Sequence, residues 1–136
     1  MSAIVAYGLT ALGALAVLLT RVRLRNSHAG WPLAVHTGAG VVAVVLWLLF
    51  LIFPDDSFLG GALVGVIALA FWWIVVAAGL MLLARWMPSR SRGKRAADTV
   101  DAADSWTGTP WLSALAHVGM LVGVCWFTYA YAFSVI

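Results

Sequence analysis

Two histidines lie inside long apolar runs, His36 in WPLAVHTGAG (31–40) and His117 in WLSALAHVGM (111–120). A neutral imidazole offers one N–H donor and one lone pair, so it can hold a metal, bind a cofactor or relay a proton. It also has to be satisfied, because an unpaired polar nitrogen in hydrocarbon is costly. The available partners are a backbone carbonyl, a hydroxyl from Ser113, Thr37, Thr10 or Tyr7, a water, a metal or a cofactor. The third histidine, His28 in RLRNSHAGW, sits among arginines and reads as solvated at a membrane surface. Cys125 is the only cysteine, which excludes an intramolecular disulfide and a CxxC motif. It follows His117 by eight residues, about 12 Å along a helix and on a different face, so it reads as a small buried hydrophobe.

Other chemistries lack their residues. No Asp, Glu, Lys or Arg interrupts the apolar runs until Arg85, at the end of the third. Ion-coupled transporters and proton pumps rely on intramembrane carboxylates, so that class is disfavoured. HExxH, GxSxG, Walker and EF-hand motifs are absent, which disfavours a membrane protease or a nucleotide-using enzyme. The chain is not expected to be an enzyme on its own.

The elements that position the histidines follow from hydropathy. Of 136 residues, 64% are hydrophobic and 10% charged, and the mean hydropathy is +1.02. Soluble domains carry about a quarter charged residues, so this composition belongs to an integral membrane protein. Four apolar runs, 3–20, 31–53, 58–86 and 110–135, each reach the length of a membrane-spanning helix. Pro32 and Pro110 fall in the first turns of the second and fourth runs, whereas Pro54 and Pro88 close the second and third. Ser57 and Thr109 are candidate N-caps. The fold expected is all-α: a single domain over 1–136, a four-span up-down bundle. Segment 88–109, with a basic half and an acidic half, is its one long polar loop.

Charge sets the orientation. All eight basic residues lie on one side: Arg21, Arg23 and Arg25 after the first run, and Arg85, Arg90, Arg92, Lys94 and Arg95 after the third. The opposite loop, PDDS at 54–57, has two acids and no base. The positive-inside rule therefore places both loops in the cytoplasm and both termini on the extracytoplasmic side, in an expected bacterial plasma membrane. The first run has no basic residues before it, the reverse of a secretory signal, and reads as a retained span. A pI near 9.6 then points to anionic lipid headgroups at the basic loops rather than to nucleic acid. Trp31, Trp86, Trp106 and Trp111 form a cytoplasmic aromatic belt, and Tyr129, Tyr131 and Phe133 an outer one.

With that topology the two histidines converge. His36 follows Trp31 by five residues and His117 follows Trp111 by six, so both lie roughly 8–9 Å beyond their entry tryptophans. The second and fourth helices of such a bundle are diagonal, with axes about 13–14 Å apart. That gap suits two imidazoles on either side of a haem iron. Gly40 shares the His36 face and leaves room beside it, and Arg25 and Arg85 are among the arginines placed to hold propionates. In topology the arrangement resembles one haem site of the cytochrome b561 type, whose ligands come from parallel helices of a four-helix core. The likeness covers two histidines and a helix count.

Two functions remain open. One is a bis-histidine b-type haem protein or cytochrome subunit, with His36 and His117 as ligands to the haem iron, passing electrons between a quinone and a partner. The other is a non-catalytic accessory or anchor subunit of a larger membrane complex, with structural histidines. Either needs a membrane-protein partner. Gly61–Gly65 and Gly119–Gly123 are GxxxG spacings expected to serve helix packing within the bundle.

Overall fold

A computed structural model describes residues 2–23, 30–86 and 110–135. Arg25, His28, Thr109 and the 88–109 loop lie outside the described residues, as do the side chains of Arg85 and Ser113. The chain forms α1 (Ser2–Arg23), α2 (Trp31–Ile52), α3 (Ala62–Trp86) and α4 (Pro110–Ala132). All four contain apolar stretches long enough to cross a membrane, with mean hydropathies of 2.1, 2.3, 2.6 and 1.4. A helix closes its backbone hydrogen bonds internally, which a lipid-exposed segment requires. The outer surface agrees: Ile4, Leu12, Leu63 and Val122 are each at least 60% exposed, a surface that water would penalise and hydrocarbon would not. The protein is an integral membrane four-helix bundle.

Helices adjacent in sequence pack together, most closely α2 with α3, and a slighter contact between α1 and α4 completes the ring. Among the described residues α2 and α4 make no close backbone approach, and neither do α1 and α3. Lipid tails are as apolar as leucine, so burial against lipid supplies little drive, and shape and dispersion hold the core. Its centre is aromatic: Trp47, Trp72, Val124 and Phe127 are fully buried, with Phe127 4.8 Å from Trp47 and 5.7 Å from Trp72, ring centre to ring centre. The edge of Trp72 fills the space where Gly13 of α1 lacks a side chain.

Polar side chains close locally or staple helix ends. Thr10, Thr20 and Thr128 each donate to the carbonyl four residues earlier. Tyr7 donates to Leu51 O at 3.1 Å, Tyr131 to Ala62 O at 2.8 Å, and Trp73 Nε1 to Thr128 Oγ1 at 3.2 Å.

Two boundaries differ from the apolar runs. The third helix begins at Ala62 rather than at 58, because Ser57 does not cap a helix there. Its Oγ donates to Pro54 O at 2.6 Å and accepts from Gly60 N at 3.0 Å, folding 54–61 into a turn. Gly60 passes so close to the Phe53 and Pro54 carbonyls that no Cβ fits. The fourth helix stops at Ala132 in a Schellman pattern, with Val135 N–H bonded to Ala130 O and Ser134 N–H to Tyr131 O. Ser134 takes the left-handed conformation that glycine usually supplies, at φ 51°.

Three packing expectations need correction. Cys125 is exposed, because Val124, Phe127 and Ala130 are the α4 residues that face the core and residue 125 falls on another face. Gly119 meets no atom within 4 Å and Gly61 lies in the turn before α3, so neither GxxxG spacing forms a paired contact inside the bundle. Gly123 and Gly65 do serve close packing, against Leu9 and against Phe50 with Tyr131.

Candidate functional site: a paired imidazole centre

Pro32 occupies the first turn of α2, where a missing N–H costs nothing, and Gly30 before it takes φ +66° to turn the chain into the helix. One turn further on, the core face of α2 carries His36, which is 4% exposed. His117 projects from α4, partly buried. Although α2 and α4 are diagonal, their imidazoles meet: the ring centres are 6.5 Å apart with an interplanar angle of 28°. The two histidines thus lie at one level of the bundle, with their rings stacked.

α3 supplies the third wall. Val75 O lies 3.1 Å from His36 Nδ1. A carbonyl can only accept, so Nδ1 carries the proton and Nε2 of the neutral ring is a bare lone pair. Nε2 is fully buried and has no hydrogen-bond partner. One helical turn beyond Val75, Gly79 lies against both rings. A Cβ built there would sit 3.0 Å from His117 Cδ2, 3.3 Å from His117 Nε2 and 3.3 Å from His36 Cε1. The ε edges of both imidazoles thus border one small space, floored by the glycine backbone. Leu33 and Leu82 pack together toward the helix ends nearest the site.

The donor set can be tested against an iron. Metal–imidazole bonds of about 2.0–2.1 Å on both sides would put two ring centres roughly 6 Å apart. The observed separation of 6.5 Å is of that order, with the two rings stacked at 28°, and the hydrogen bond to Val75 O leaves Nε2 of His36 without the proton. Among the described residues no three His, Cys, Asp or Glu side chains gather as an ordinary metal-ion site, so any metal held here would need ligands beyond the protein's own, as a porphyrin provides.

The other anticipated residues sit as follows. Gly40 is buried, but the space beside it is filled by Val17 of α1. Arg25 lies outside the described residues, and Arg85 closes α3 without a described side chain. Tyr7 and Thr10 are committed elsewhere, and Thr37 Oγ1 is buried without a partner. Val75 and Gly79 were not anticipated. A backbone carbonyl has no sequence signature, and one glycine in AAGL on an apolar helix is indistinguishable from the others.

The chain matches no family model, and neither a curated protein nor a solved structure is significantly similar to it. Functional inference therefore rests on the site.

Proposed function

We propose that this protein is a small b-type haem electron-transfer protein, or the cytochrome subunit of a larger membrane complex, whose haem iron His36 and His117 would hold. The observation that carries this is the apposition of two imidazoles across the bundle diagonal, with the buried Nε2 of His36 left as an unpartnered lone pair. Haem bound there would supply a one-electron carrier. The chain's own residues hold the ligands in place: Val75 O orients His36, Gly79 gives the rings room, and the apolar helices exclude water. An up-down bundle with both termini extracytoplasmic is part of the proposal. It is supported by contacts of 7 with 51, 17 with 40, 36 with 75, 65 with 131 and 79 with 117, and by the placement of all eight basic residues in the two loops assigned to the cytoplasm. A bacterial plasma membrane, a quinone as redox partner and a membrane-protein partner complete the proposal.

The competing function is an accessory or anchor subunit with structural histidines, and the His36–Val75 hydrogen bond serves it equally well. A substitution separates the two. Asn at position 36 keeps a donor near the Nδ1 position and removes Nε2. Under the haem proposal, protein from haem-replete cells shows a b-type reduced-minus-oxidised band that disappears in both His36→Asn and His117→Ala. A colourless, stably folded wild type, or a band retained in both variants, refutes haem ligation by this pair.

A further inference from the structure

A crevice of about 230 Å³ runs between α1 and α2 on the outside of the bundle. Along most of its length it is apolar, walled by Ala14, Val17, Val41 and Val44. Arg21 and Thr37 lie together at one end, because Val17 meets Gly40 and the chain positions beyond that contact bring 21 toward 37. Arg21 is exposed and, among the described residues, meets no carboxylate.

These features select an occupant. The volume is about that of eight waters, too little for a helix of about 10–12 Å diameter and enough for part of one hydrocarbon chain. From Ala14 to Arg21 the crevice extends about 10 Å parallel to the helices, the direction in which lipid chains run. Its charged end lies two residues from the end of α1, where the positive-inside rule puts the cytoplasmic headgroups. A guanidinium recognises phosphate through paired N–H donors, and an uncharged amphiphile would leave it unmatched. We propose that the crevice is a binding site for an anionic phospholipid, with one acyl chain along the valines and the phosphate on Arg21. This site is separate from the histidine pair and does not depend on haem.

The test uses the full chain in phosphatidylcholine bilayers containing a minor fraction of phosphatidylglycerol, with native mass spectrometry of the released protein. One phosphatidylglycerol per chain is expected to be retained in preference to phosphatidylcholine. Arg21→Gln should weaken that retention about fivefold, from the usual contribution of one basic residue near an anionic surface. Arg21→Lys should restore only part of it, because an ammonium keeps the charge but not the paired N–H donors, and Ala14→Phe should abolish it by filling the crevice. Arg21 is exposed, so Arg21→Gln reports binding even if Ala14→Phe impairs folding. Equal retention of both lipids, no effect of Arg21→Gln, displacement of the lipid by an added isoprenoid quinone, or cross-linking of a second copy across the crevice would each overturn the proposal.

Discussion

Gly79→Ala tests the geometry of the imidazole centre directly. Carbon contacts are most favourable at about 3.5–4.0 Å. The new methyl would sit 3.0 Å from His117 Cδ2, with His117 Nε2 and His36 Cε1 both at 3.3 Å. Each ring must therefore retreat by a few tenths of an ångström, and His36 is held in place by its bond to Val75 O on the same helix as the methyl. Overpacking of this kind costs about 1–3 kcal/mol. Against it stands the gain of about 0.8–1.0 kcal/mol from replacing a helix glycine with alanine. The net expectation is a loss of about 0–2 kcal/mol. Gly38→Ala is the control, because Gly38 lies on α2 with no atom within 4 Å of its Cβ position. It should leave stability unchanged or raise it by up to about 1 kcal/mol. Unfolding in mixed micelles, followed by circular dichroism, measures the difference between the two variants, expected at about 1–3 kcal/mol. If haem is bound as proposed, Gly79→Ala should also weaken the b-type reduced-minus-oxidised band. If Gly79→Ala matched Gly38→Ala in stability and kept the wild-type spectrum, α3 would not be the wall of the site.

Further predictions concern the frame around it. Gly13→Ala should destabilise the bundle by about 1–3 kcal/mol or more, because its methyl would come within 2.5 Å of Trp72 Cη2; the same unfolding assay measures this. Tyr131→Phe should cost about 0.5–1.5 kcal/mol by removing the 2.8 Å bond to Ala62 O that ties α4 to the start of α3. Reporter fusions at either terminus should be active on the extracytoplasmic side, and a reporter placed in 88–109 should be active in the cytoplasm; the opposite pattern would refute the charge-derived topology.

Hydropathy made the helices legible, because a span must be apolar for about 20 residues whatever its neighbours are. The matched depth of His36 and His117 was also legible from their spacing after Trp31 and Trp111, but that their rings stack 6.5 Å apart depends on how the helices pack. Details that depend on side-chain facing were not. Cys125 and Val124 are adjacent and similarly apolar, yet one is exposed and the other fully buried, because both environments are nonpolar and periodicity loses its contrast. The room beside Gly40 was predicted from its small size, but whether it would be taken by a cofactor or by Val17 depended on how α1 packs. The start of α3 was displaced by hydrogen bonds from Ser57, which equally fit an N-cap and a turn.

Unpartnered polar atoms are not confined to His36: the indole nitrogens of Trp47 and Trp72 are also buried without partners. Orphaning alone therefore does not mark a site. The cases differ in what the ring provides. Each indole is fully buried at the centre of the core, where a large aromatic surface packs against Phe127, so its N–H is a modest penalty on a large packing gain. An imidazole is small and polar, and leucine would fill comparable space without leaving a lone pair that costs about 1–3 kcal/mol. Packing gives no reason to prefer histidine at 36, and still less to bring a second imidazole against it from the diagonal helix. The proposed haem would supply that reason, and under that proposal the Val75 carbonyl orients one ring and Gly79 makes room for both.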